Sequence, residues 1–207
     1  PLRLTSPHVW RLSRRLQRSL LPPVAARVAN NPMTRILLIG FMAAGKTTLG
    51  KALARDLGLQ FVDLDHYIEG RYHCSVSQLF AERGEEAFRE IERNMLHEVA
   101  EFENVVISTG GGTPCFFDNM EYMNQVGETV FLDVDNKVLF RRLKVAKHQR
   151  PLLANKTDEE LMTFIQEALE KRLPYYTKAK YVFNGELLEN RHQIQQSVER
   201  LKELLNL

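Results

Sequence analysis

Cysteine is scarce. The 207-residue chain carries only Cys74 and Cys115, and they form no C-x-x-C pair. That excludes a disulfide framework and a cysteine-based zinc site, and it fits a reducing cytoplasm. Long apolar runs are also missing. None approaches the roughly 18–20 residues of a membrane-spanning helix, so a soluble protein without a membrane partner is expected. A dominant charge sign is lacking as well, with 28 Lys and Arg against 26 Asp and Glu. The resulting net charge of +2 gives no footprint for a nucleic-acid partner. His66, His73, His97 and His148 show no metal-ligand spacing. There is no internal repeat.

Acidic residues are absent from one stretch. Residues 1–32 hold Arg3, Arg11, Arg14, Arg15, Arg18 and Arg27 but no Asp or Glu. An arginine-rich, acid-free leader reads as an organellar transit peptide or as expression-derived sequence foreign to the body. Met33-Thr34 just before the first strand pattern looks like a native start. The expectation is a leader at 1–32 and one folded domain at 33–207.

What is present alternates between two periods. Arg35–Gly40 is a short continuous apolar run, the pattern of a strand buried on both faces. Leu49, Ala52, Leu53 and Leu57 then recur at helical spacing up to Gly58. Further strands are predicted at Gln60–Asp65, Asn104–Ser108, Thr129–Asp133 and Lys180–Phe183. Helices are predicted from about Glu85 to Phe102 and from about Glu189 to Leu207. Alternating strands and helices imply an α/β sandwich with a parallel sheet.

Gly40–Thr47 fits G-x-x-x-x-G-K-(S/T) between the first strand and its helix. In such a loop backbone N–H groups point at phosphate oxygens, the lysine pairs with them and the hydroxyl holds Mg²⁺. Asp63 and Asp65 flank Leu64, so a strand there would send both carboxylates to one side at the ligand-binding edge. The other reading of that pair is a helix cap. Arg89 and Glu92 stand three apart on a helix: either a solvated charged face, or an acid orienting a guanidinium toward an anion. Gly110-Gly111-Gly112 permits close backbone approach to a ligand, or simply a sharp turn.

Taken together, GFMAAGKTT, DLD, FREIE, STGGG, RPLL and KRLPYY closely resemble the shikimate kinase family, relatives of the nucleoside monophosphate kinases. The resemblance covers about Met33 to Leu207. It implies a three-layer sandwich whose five parallel strands run in the order 2-3-1-4-5, a substrate region around residues 66–95 and a lid near 144–155. It implies ATP-dependent phosphorylation of shikimate, with Mg²⁺ and no partner beyond these small molecules, by a cytoplasmic monomer.

Residue by residue, the resemblance gives Lys46 the β- and γ-phosphates. Ala43, Ala44, Gly45, Thr47 and Thr48 complete the ATP loop, and Thr47 with Asp63 serves Mg²⁺. Asp65 would hold the attacking hydroxyl and take its proton. Arg89, Arg172 and Gly110–Gly112 would clamp the substrate, with Val76, Phe80, Phe88, Pro151 and Leu152 as walls. Arg150 would reach the transferring phosphoryl group from the lid, and Arg142 would lie beside adenine. Ala43 departs from the family's frequent glycine. Two other readings compete: a gluconate kinase-like enzyme of the same fold, and a P-loop module that binds nucleotide without turnover.

Overall fold

The computed structural model describes residues 34–146, 153 and 155–207. The leader at 1–32 lies outside them, as do Arg150, Pro151 and Leu152.

Five strands form one sheet: β1 (Arg35–Ile39), β2 (Gln60–Asp63), β3 (Val105–Ser108), β4 (Glu128–Asp133) and β5 (Tyr181–Asn184). Every pairing is parallel and the order is β2-β3-β1-β4-β5, as the resemblance implies. Leu37, Leu38 and Ile39 are wholly buried, as are Val105, Val106 and Ile107. That double-sided burial explains why these strands read as unbroken apolar runs. Register fixes the working edge: Ser108 pairs with both Leu38 and Asp63. The carboxyl ends of β1, β2 and β3 therefore finish level with one another.

Seven helices cover the faces among the described residues: α1 (Lys46–Leu57), α2 (Leu64–Tyr72), α3 (Val76–Ala100), α4 (Asn119–Val126), α5 (Asn136–Ala146), α6 (Asp158–Tyr176) and α7 (Arg191–Leu204). A 3₁₀ turn spans Thr113–Cys115. α1 stops where the sequence places its end, at Gly58 in the left-handed conformation (φ 69°). α7 packs against α1, and Lys202 reaches across to Asp56 at 2.7 Å.

Two sequence expectations need correction. β2 ends at Asp63, not Asp65, because Asp63 becomes the N-cap of α2 and accepts the His66 N–H. Asp65 thus sits in the first helical turn. α3 begins at Val76, well before Glu85, behind a capping box of Ser75 and Gln78. The helical pattern breaks at Gly84 (φ 78°, ψ 172°), which kinks α3 and hides its first part from a periodicity argument.

Candidate active site

The phosphate side follows directly from β1. Gly40 (φ 139°) leaves the strand where a Cβ would stand 2.9 Å from the Leu132 carbonyl oxygen. Gly45 (φ 100°) is the N-cap of α1. The loop between them aims the positive end of α1 into the cleft. Lys46 is buried, and its Nζ donates to the Gly40 and Phe41 carbonyls at 2.9 and 3.0 Å. Thr47 Oγ1 donates to Asp63 Oδ2 at 2.8 Å, so the two candidate Mg²⁺ residues stand side by side. One hydroxyl and one carboxylate suit a hard cation that keeps several waters and takes its other oxygens from phosphates. The described residues hold no cluster of three or more His, Cys, Asp or Glu for a protein-only metal site.

These groups open on a cavity of about 410 Å³, whose lining includes Ala43, Gly45, Lys46, Thr47, Thr48, Asp63, Asp65, Gly111 and Arg142. Ala44 is not part of it. Its N–H closes a turn onto the Phe41 carbonyl at 3.2 Å, and its buried methyl faces a second cavity of about 270 Å³ behind the loop. Arg142 is heavily engaged: Nη1 donates to the carbonyls of Ala43, Ala44 and Gly185, Nη2 to those of Gly185 and Glu186, and Nε to Glu189 at 3.0 Å.

The opposite side is built from charges. A Cβ at Gly110 would meet Glu92 Oε1 at 2.8 Å and Asp65 Oδ1 at 3.0 Å, so both carboxylates crowd the first glycine. At Gly112 it would meet the Arg89 guanidinium at 2.8 Å, and at Gly111 it would meet Arg172 Nη1 at 3.3 Å. The triplet thus lets Glu92, Asp65, Arg89 and Arg172 come close to its backbone, most tightly at Gly110 and Gly112. Glu92 is 1% exposed. It accepts from Arg89 Nη1 at 2.7 Å and from Thr113 Oγ1 at 2.6 Å. The Nε–H of Arg89 is buried without a partner among the described residues. Three rings face this guanidinium: Phe116 at 4.1 Å, Phe88 at 5.3 Å and Phe80 at 5.4 Å. Val76 is partly buried against the core.

Burial, then the neighbouring Glu92 and Asp63 carboxylates, push the Asp65 carboxyl up to about 6; Lys46 opposes them. Burial also raises the Cys115 thiol to about 11 although Arg172 and Arg89 stand near it, so this sulfur stays protonated.

Sequence reasoning missed Thr113, Phe116 and the Leu188-Glu189 pair that closes the cavity beside Arg142. Thr113 follows the glycine triplet directly, which is the only signal that could have singled it out.

The shikimate kinase family model matches residues 42–202. A shikimate kinase of Phocaeicola vulgatus is 70% identical over 174 residues, covering 84% of this chain and 99% of its own. The 1.7 Å crystal structure of shikimate kinase from Bacteroides thetaiotaomicron superposes with a TM-score of 0.83 at 67% identity, covering 84% of this chain and 99% of that one. The Acinetobacter baumannii shikimate kinase, solved in complex with shikimate, gives a TM-score of 0.75 at 30% identity, covering 88% and 97%. With the P-loop, the buried Arg89–Glu92 pair and the glycine triplet brought to one cleft, these matches establish that the chain belongs to the shikimate kinase family.

Proposed function

We infer that this chain transfers the γ-phosphoryl group of ATP to the 3-hydroxyl of shikimate, yielding shikimate 3-phosphate and ADP on the route to chorismate and the aromatic amino acids. The observation that carries the residue-level reading is the cleft itself. A single cavity has the P-loop on one wall and Asp65 on the other, with Arg89 and Arg172 against the glycine triplet behind it.

Asp65 accepts the hydrogen bond of the attacking hydroxyl and takes its proton as the oxygen's electron pair turns to the γ-phosphorus. A carboxyl raised to about 6 is still ionised at neutral pH, yet is a better proton acceptor than an ordinary aspartate. Arg89 and Arg172 hold the shikimate carboxylate. Glu92 fixes the guanidinium plane and leaves the guanidinium N–H groups that it does not use for that carboxylate. The N–H groups of the P-loop and Lys46 hold the ATP phosphates, with Arg142 on the same wall. Lys46 exchanges its loop carbonyls for phosphate oxygens. Thr47 and Asp63 would hold Mg²⁺, which would supply positive charge against the phosphates. Arg150 supplies a further cation from the lid near 144–155, a role that rests on the sequence resemblance. Alignment and charge placement supply most of the catalysis of phosphoryl transfer, and the cleft offers both.

We also place the enzyme in the cytoplasm as a monomer. Among the described residues no helix is long and apolar enough to cross a membrane. The test is ADP release measured side by side with shikimate, gluconate, adenylylsulfate and CMP. Shikimate should exceed the others by about 100-fold or more in kcat/KM. Comparable turnover of gluconate would replace this reading with the gluconate kinase-like one, and no turnover of any acceptor would favour a nucleotide-binding module.

A further inference from the structure

Ala43 has φ 61°, a left-handed backbone that favours glycine. A side chain there is strained, and such a conformation persists only where its surroundings over-determine it. The Ala43 carbonyl is held by Arg142 Nη1 at 3.3 Å, and the same nitrogen holds the Ala44 carbonyl, also at 3.3 Å. The guanidinium is anchored from behind by the Gly185 carbonyl at 3.2 Å, the Glu186 carbonyl at 2.8 Å and the Glu189 carboxylate at 3.0 Å. Its side chain is 14% exposed. A single fork therefore ties the P-loop to the segment following β5.

Peptide planarity gives this tie a direction. A carbonyl and the N–H of the next residue point opposite ways across one peptide unit. Holding the Ala44 carbonyl on the Arg142 side turns the Gly45 N–H the other way, toward the mouth of α1 where phosphate oxygens bind. Holding the Ala43 carbonyl fixes the neighbouring unit, whose Ala44 N–H closes the turn onto Phe41 at 3.2 Å.

We propose that Arg142 is a positioning residue for the ATP phosphates: its guanidinium holds the carbonyls of Ala43 and Ala44 and so stabilises a P-loop that carries alanine at a left-handed position. This rests on the ATP site inferred above. It goes beyond a contact with adenine, because the guanidinium acts through the loop backbone and its value depends on residue 43. Lysine, a point charge without a planar fork, cannot reproduce the geometry.

The test is a double-mutant cycle on kcat/KM for ATP with Ala43→Gly, Arg142→Gln and the combination, on variants checked for native circular dichroism. Arg142→Lys replaces Arg142→Gln if that variant does not fold. Arg142→Gln should lower kcat/KM for ATP about 20-fold while the KM for shikimate moves less than about twofold. Ala43→Gly should improve ATP use about fivefold more in the Arg142→Gln background than in the unaltered one, since glycine removes the strain that the fork contains. Strict additivity of the two changes would overturn the proposal and leave Arg142 with a base contact only. Lys46→Met is the control for the ATP site itself: if ATP use survives it, the nucleotide reading fails independently of Arg142.

Discussion

The two walls of the cleft present charge in different ways. The wall proposed for phosphate is one contiguous segment, Gly40–Thr47, with Arg142 bonded behind it, and it offers neutral backbone donors, with Lys46 already bonded to loop carbonyls. The acceptor wall gathers Asp65 from α2, Arg89 and Glu92 from α3, the glycines after β3, and Arg172 from α6. Its work is done by full charges brought out of water. A buried ion pair such as Arg89–Glu92 does not earn its place through stability, since desolvating both partners offsets much of their attraction. What it provides is a guanidinium in one plane with a donor left over. The comparison teaches that the phosphate wall should be sensitive to backbone geometry, whereas the acceptor wall should be sensitive to ionisation.

Removing the acceptor wall's base should give the largest effect. Asp65→Asn should lower kcat by at least about 100-fold while ATP still binds. Its stability should move the other way. The Asp65 carboxyl is raised from 3.8 to about 6, so its contribution favours the fold below pH 3.8 and is lost as pH rises through 6. At neutral pH the amide therefore removes a burden, and the melting temperature should rise. Near-normal turnover, or a lower melting temperature, would break the contrast. A smaller effect is expected from Arg89→Lys, which should raise the KM for shikimate about 10-fold or more and leave that for ATP nearly unchanged. Equal changes in both would mean the walls are not separate. Deleting residues 1–32, whose arginine-rich, acid-free sequence shares no pattern with the domain, should change neither activity nor melting temperature.

How much of this was legible in the sequence follows the same division. The P-loop could be read whole because a local motif specifies local geometry. Asp65 was identified, but a period-two argument put it on a strand; Asp63 caps α2 and the chain is already helical at Leu64. Both carboxylates still line the cavity, because a strand end and the first turn after it face the same edge. The early part of α3 escaped notice because Gly84 interrupts its period. The bonds of Arg142 to Ala43 and Ala44 span most of the domain, and no spacing rule reaches that far. Phe116 over Arg89 was hidden for the same reason. The strand order came from family resemblance, since hydrophobic periodicity carries no information on which strands are neighbours.

The most direct test of the account is the pH dependence of kcat/KM for shikimate in the unaltered enzyme and in Glu92→Gln, followed between about pH 4.5 and 8. The unaltered enzyme should lose activity below an apparent pKa of about 6, where Asp65 takes up its proton. Glu92→Gln removes the carboxylate charge that raises Asp65 most, so its acid limb should move to lower pH, even though its KM for shikimate rises with the loosened Arg89. An acid limb near the ordinary aspartate value of about 4, identical in both proteins, would contradict the claim that ionisation on the acceptor wall sets turnover.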